Sequence, residues 1–180
     1  MVMRPSVRRL SLVVHVGVSV GWLGAVAASL ALGVVALAAS DAAVTRAVYL
    51  VLEPMGWYAL VPLSGATLAS GLVQSLGTTW GLVRHYWVLV KFAMTAFGAG
   101  VLLLYMQTLQ YVAEQARLSA DQGGVDGLRT FSPVLHATGA SILLVVALVL
   151  SVYKPQGRTP WLGRRGQPVG AAGGPAGADH

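Results

Sequence analysis

Four long apolar stretches constrain the fold of this chain more than any other feature. They occupy residues 10 to 39, 48 to 74, 86 to 108 and 132 to 153. Each approaches or exceeds the roughly 20 residues that an α-helix needs to cross the hydrocarbon of a bilayer. Only 10% of the residues are charged, whereas a soluble domain carries about a quarter. The sequence therefore predicts an all-α protein, a four-helix transmembrane bundle.

The rest of the chain leaves no room for a separate soluble domain. We expect a single membrane domain over residues 1 to 154, followed by a tail over residues 155 to 180 that is rich in Gly, Pro and Ala. Such a composition buries too little apolar surface to fold, so the tail is expected to be disordered. The absence of Cys excludes disulfides, zinc thiolate sites and thiol nucleophiles.

The distribution of Lys and Arg predicts the orientation of the bundle. One side of the membrane would hold Arg4, Arg8, Arg9, Arg84, Lys154, Arg158, Arg164 and Arg165, and the other only Arg46, Arg117 and Arg129. Cytoplasmic loops are the ones enriched in Lys and Arg, so both termini are predicted to be cytoplasmic. The first stretch is longer than the 7 to about 15 apolar residues of a secretory signal, and we expect it to be retained as a helix.

Four ionisable residues lie within the predicted spans, where a charge costs on the order of 3 kcal/mol or more. His15 and Lys91 lie roughly 9 to 11 Å inside the cytoplasmic face, from a rise of about 1.5 Å per residue. Glu53 and His136 share a similar depth on the outer side. A hydrogen-bonded pair of Glu53 and His136 across two helices is one interpretation, and a snorkelling Lys91 is another.

Polar residues at helical spacing predict a seam along the axis of the bundle. On the second span the predicted face consists of Glu53, Trp57, Ser64, Thr67, Gly71 and Gln74. Small residues four apart favour close packing of helices. These pairs are Gly17 with Gly21, Gly24 with Ala28, Gly65 with Ala69, and Ala96 with Gly100.

The first span contains the segment HVGVSVGWLG, which runs from His15 to Gly24 and includes Trp22. It resembles the opening helix of two bacterial membrane families, the protoporphyrinogen oxidase of haem synthesis and the copper-resistance family. In the oxidase family a helix-one His and a third-helix Lys are tied to haem and activity. The spacing of Trp87 and Lys91 resembles that third helix, although Leu89 stands where the oxidase family has a His.

A second resemblance covers nearly the whole chain. The segments HVGVSVGWLGAVAASLAL, SGLVQSLGTTWGLVRHYWVLVKF and LSVYKPQG are similar to a family of bacterial integral membrane proteins defined as a domain of unknown function. This resemblance implies a multi-pass protein of the bacterial inner membrane. It implies no activity.

Three functional hypotheses follow. In the first, haem b or another porphyrin is held between spans one and three, with His15 as the iron ligand, Lys91 beside a propionate or as second ligand, and Trp22 and Trp87 along the ring. In the second, the chain is a non-enzymatic accessory or scaffold subunit, in a homo- or hetero-oligomer surrounded by lipid. In the third, the ionisable residues form a proton or metal-ion pathway.

The sequence argues against several other classes of function. Copper transport is disfavoured because Cu(I) selects sulfur ligands, and the chain has no Cys and five dispersed Met residues. Motifs for hydrolytic or nucleotide chemistry are missing, and no basic soluble face indicates nucleic acid. No catalytic residue is assigned.

Overall fold

The computed structural model describes residues 3 to 77, 86 to 119 and 129 to 153. Every regular element in these ranges is helical. The elements are α1 (Pro5–Ala38), α2 (Ala42–Met55), a π-helical turn (Gly56–Leu60), α3 (Val61–Gly77), α4 (Tyr86–Leu118) and α5 (Ser132–Tyr153). The predicted tail and Arg84 lie outside the described residues.

These elements form four helical rods that are long and apolar enough to cross a membrane: α1, α2 with α3, α4, and α5. The structure confirms the all-helical prediction for the described residues, and α5 begins at Ser132, where the fourth apolar stretch begins. The other helices extend beyond their apolar stretches. For example, α4 continues to Leu118, beyond the end of its apolar stretch at residue 108.

Local sequence explains where the first two helices begin. Pro5 occupies the first turn of α1, a position where its missing N–H costs no hydrogen bond. Asp41 caps α2, because its carboxylate accepts a hydrogen bond of 2.8 Å from the Ala43 N–H. The two helices are therefore separated only by the short link from Ala39 to Asp41.

The π-helical turn interrupts the second rod between two prolines, Pro54 and Pro62. A proline inside a helix lacks a donor and crowds the preceding turn. The wider turn from Gly56 to Leu60 adds a residue to the helical repeat and changes which side chains face the core. Trp57, predicted to lie on the polar seam, is 41% exposed.

The four rods surround a common axis, with α1 diagonally opposite α4. Both α1 and α4 pack against α2, α3 and α5, whereas no close backbone contact joins α1 to α4. The Met3 N–H donates to the Gly77 carbonyl at 3.1 Å, which places the start of α1 beside the end of α3. We call this end of the bundle the Lys91 end and the opposite end the Glu53 end.

Two clusters of buried apolar side chains form the core. The cluster toward the Glu53 end includes Tyr49 and Met106, each about 1% exposed. The other cluster lies at mid-bundle and consists of Trp22, Val26, Leu60 and Leu144. Many large apolar side chains remain exposed on the outside of the rods, as expected where lipid rather than water is the solvent.

Candidate functional site

A cavity of about 520 Å³ opens within the bundle near the Lys91 end. Side chains from α1, α3, α4 and α5 line it. Most of the lining is apolar, and the polar members are Arg8, His15, Ser19, Thr67, Gln74, Ser75, Trp87, Lys91, Thr95 and Ser151. We call it the His15–Lys91 cavity. Its volume lies within the range of about 300 to 1,000 Å³ that is typical of small-molecule sites.

The Ser70 hydroxyl fixes the imidazole of His15. The Nδ1 atom lies 2.9 Å from Ser70 Oγ, and that hydroxyl donates its single proton to the Ala66 carbonyl at 2.6 Å. With its proton on a carbonyl of its own helix, Ser70 Oγ can accept from His15, and Nδ1 then carries a proton. In the neutral ring Nε2 then holds the lone pair. A histidine whose Nδ1–H is held in this way is oriented as a metal-ligating histidine usually is.

The backbone of α3 approaches His15 closely at Gly71. A Cβ atom at Gly71 would lie 3.2 Å from Cε1 of the imidazole. Because Gly71 has no side chain, the imidazole of His15 can pack directly against the backbone of α3. Ser70 and Gly71 together hold the imidazole on the α3 side of the cavity.

Lys91 lies in the cavity and contacts the fourth rod. Its Nζ donates to Ser151 Oγ at 2.6 Å, and the Ser151 hydroxyl donates to the Ala147 carbonyl at 2.9 Å. Lys91 on α4 and His15 on α1 belong to diagonally opposite helices, and both side chains line this one cavity. Their distances from flanking arginines predict a similar depth for both residues, and in the structure both line the same cavity.

The charged residues that line the cavity are all cationic. Arg8 and Lys91 are both part of the lining, which contains no Asp or Glu. Within the described ranges the carboxylates belong to Asp41, Glu53 and Glu114, and all three lie toward the Glu53 end. A cavity with apolar walls, two cations and no acidic partner favours an amphipathic anion.

The two predicted tryptophans occupy different places. Trp87 lines the His15–Lys91 cavity. Trp22 is 2% exposed and belongs to the mid-bundle cluster with Leu60 and Leu144. Trp22 instead lines a second, apolar cavity, so the structure brings together three of the four residues predicted to surround the cofactor.

Glu53 and His136 have different partners. Glu53 pairs with Arg117, and Arg117 also bonds Glu114 at 3.2 Å. His136 bonds the Ser132 carbonyl through Nδ1 at 2.8 Å and stacks on Tyr105. The predicted Glu53 with His136 pair is absent from the contacts of the described residues, because α2 and α5 do not pack against each other.

The other arginines of the Glu53 end bond the carbonyls that follow helix ends. Arg46 donates to the Ser119 carbonyl at 3.0 Å, and Arg129 donates to the Ala39 carbonyl at 2.7 Å. Helix C-termini leave such carbonyls without intrahelical partners, and cations stabilise them. These arginines therefore link different parts of the bundle at the Glu53 end. Neither of them lines the His15–Lys91 cavity.

Several residues of the site, among them Ser70, Ser151 and Arg8, were not predicted from the sequence. Ser70, Ser151 and Arg8 gave no motif, because a lone hydroxyl or a flanking arginine is common in membrane helices. The useful signal was the spacing of Ser70 from Thr67, which adds one more polar position to the face that already contained Thr67, Gly71 and Gln74. Ser151 carries a similar signal as an isolated polar residue in the last turns of α5.

The site offers one histidine rather than a cluster of metal ligands. Within the described part of the chain, no three His, Cys, Asp or Glu side chains come together to hold a metal ion. An iron inside a porphyrin needs only one axial histidine, because the macrocycle supplies four ligands. No protein-family model, curated protein or solved structure matches this chain.

Proposed function

We propose that this multi-pass protein of the bacterial inner membrane, with both termini in the cytoplasm, binds haem or another porphyrin in the His15–Lys91 cavity. The observation that carries the proposal is His15, whose Nδ1–H is held by Ser70 on the wall of a largely apolar cavity. Bound haem would supply an iron centre for electron transfer or ligand binding. His15 would hold the iron through Nε2.

The cations of the cavity fit the acidic groups of a porphyrin. Haem carries two carboxylates on an apolar ring, and the cavity combines apolar walls with Arg8 and Lys91. Lys91 already reaches a hydroxyl on α5, so its ammonium has a fixed position from which to meet a carboxylate. Trp87 would lie along the ring, whereas Trp22 would act only through packing behind the cavity.

A continuous proton or metal-ion pathway has less support. The mid-bundle cluster of Trp22, Val26, Leu60 and Leu144 separates the His15–Lys91 cavity from Glu53 and its ion pair with Arg117. An apolar layer of this kind raises the cost of moving a charge along the axis. The accessory-subunit hypothesis requires no cofactor, and the experiment below separates it from haem binding.

The test is the visible spectrum of the purified protein in mild detergent, before and after dithionite and after addition of haem. We expect a Soret band that shifts on reduction and is lost in His15→Ala. Lys91→Met, which keeps the length of the side chain and removes its charge, should weaken haem binding about tenfold, or about 1.4 kcal/mol. Ser141→Ala, which removes a hydroxyl bonded only to its own helix, should leave the spectrum unchanged.

Two results would overturn the proposal. One is a featureless spectrum even after haem is supplied, and the other is a Soret band that His15→Ala does not alter. Either result would favour the accessory subunit, and proteins that co-purify with the chain would then identify its complex.

A further inference from the structure

A second cavity, of about 390 Å³, lies between the mid-bundle cluster and the Glu53 end. We call it the apolar cavity. Its lining contains no Arg, Lys, Asp or Glu, and four aromatic rings contribute to it: Trp22, Phe97, Tyr105 and His136. The proposed haem site does not use Phe97, Tyr105 or His136. This cavity therefore has a chemistry of its own, suited to an uncharged aromatic ligand.

The edge of the apolar cavity faces the outside of the bundle. Phe97 on α4 is 68% exposed and Leu135 on α5 is 70% exposed, although both side chains line the cavity. The cavity therefore opens between α4 and α5, on a surface where lipid is the solvent. A ligand that enters here must be soluble in the bilayer.

His136 provides a hydrogen-bond acceptor among the polar groups of the lining, which also include the indole N–H of Trp22 and the hydroxyl of Tyr105. Its Nδ1 lies 2.8 Å from the Ser132 carbonyl oxygen, and a carbonyl oxygen can only accept. Nδ1 therefore carries the proton, and in the neutral ring Nε2 is a hydrogen-bond acceptor. Nε2 lies at the tip of the ring, farther from the α5 backbone than Nδ1. The stack with Tyr105, with ring centroids 4.0 Å apart and planes 14° apart, fixes the imidazole.

We infer that the apolar cavity binds a lipid-soluble aromatic alcohol, a phenol or hydroquinone, whose hydroxyl donates a hydrogen bond to Nε2 of His136. The aromatic lining recognises the ring, the lateral opening admits it from the bilayer, and the acceptor nitrogen recognises the hydroxyl. An aromatic molecule without a donor would leave Nε2 without a partner in an apolar space, which costs free energy.

The test compares 1-naphthol with its methyl ether, 1-methoxynaphthalene, which has the same rings and no donor. Equilibrium dialysis would use the full-length protein in lipid nanodiscs, with empty nanodiscs to subtract partition into lipid. We expect saturable binding of 1-naphthol that is about fivefold tighter than that of the ether.

Two variants assign this preference to His136. His136→Phe keeps a ring beside Tyr105 and removes the acceptor, so both probes should bind with about equal affinity. Ser141→Ala changes a side chain of α5 that lines neither cavity and should retain the fivefold preference. The inference is wrong if neither probe binds saturably, if the wild type binds both equally, or if a folded His136→Phe protein retains the preference.

Discussion

At the scale of single residues, the Ser70 hydroxyl determines the orientation of the His15 imidazole in the cavity. It accepts from Nδ1 while donating to the Ala66 carbonyl, so the imidazole is oriented without any charged partner. Partners of this kind typically contribute 10- to about 100-fold to the affinity of a metal-ligating histidine. Ser70 is therefore expected to act on a ligand that it does not touch.

Ser70→Ala should lower haem affinity about tenfold without removing the axial ligand. The variant loses a hydrogen bond to His15, so the ring samples other orientations while Nε2 can still bind iron. Haem titration followed by the Soret band measures the affinity, and the band itself should persist. Ser64→Ala is the matched control, because Ser64 bonds only the Val61 carbonyl of its own helix. Equal affinity in wild type and Ser70→Ala would exclude this positioning role.

The sequence predicts that His15 and Lys91 lie near each other, but it does not predict the partners of Glu53 and His136. His15 and Lys91 were placed at one level by their distance from flanking arginines, and they line the same cavity. The same argument paired Glu53 with His136, which contact other groups. Depth along a helix follows from the rise per residue, whereas the partner depends on how each helix is rotated and which helices are neighbours. Those properties come from packing over the whole bundle.

At the scale of helices, the second rod shows how one irregular turn changes which side chains of a helix face the core. The α-helical period placed Glu53, Trp57 and Ser64 on a single stripe, but the π-helical turn Gly56–Leu60 lies between the first and last of them. Ser64 is buried, whereas Trp57 is 41% exposed. Neither proline in this rod reveals a π-helical turn by itself, so the change in register was not predictable from the spacing.

Helix packing also determines which glycines lie in close contact with a neighbouring helix. Gly17, Gly24, Gly65 and Gly100 were predicted to lie at close helix contacts, yet a Cβ at any of them would meet nothing within 4 Å. Gly56 is different, since a Cβ there would lie 2.6 Å from the side chain of Met106. The sequence pattern finds small residues but does not identify the helix that faces them.

Gly56→Ala should destabilise the bundle by about 1 to 3 kcal/mol, the usual cost of overpacking. Met106 is 1% exposed, so its side chain has little room to move away from the added methyl group. Gly65→Ala is the control in the same rod. With open space around Gly65, it should be neutral or stabilise by up to about 1 kcal/mol through helix propensity. Unfolding of both variants in detergent, followed by circular dichroism, measures the difference, and equal stabilities would contradict the packing argument.

At the scale of the whole molecule, the two ends of the bundle have different chemistry. The Glu53 end holds the described carboxylates and the arginines that bond helix-end carbonyls. The Lys91 end holds the His15–Lys91 cavity with its unbalanced cations. The mid-bundle cluster separates the two. Because the two ends differ, the orientation of the bundle determines which compartment has access to the polar cavity.

The absence of Cys from the sequence allows the orientation to be tested with single-cysteine variants. Ser6 at the Lys91 end and Ser40 at the Glu53 end are both exposed, and Ser→Cys changes little in volume. With both termini in the cytoplasm, a membrane-impermeant maleimide added to intact spheroplasts should label Ser40→Cys. Ser6→Cys should react only after the membrane is permeabilised, and the chain without Cys should not react.

The expected orientation follows from the sequence, in which the segments grouped with Arg4, Arg8 and Arg9 carry most of the Lys and Arg, as cytoplasmic segments do. Arg46, Arg117 and Arg129 at the other end all have structural partners, so their charges serve the packing of the rods. The reverse labelling pattern would show that these three residues do not mark the outer face. The His15–Lys91 cavity would then open toward the outside of the cell, and its anionic ligand would have to be sought there.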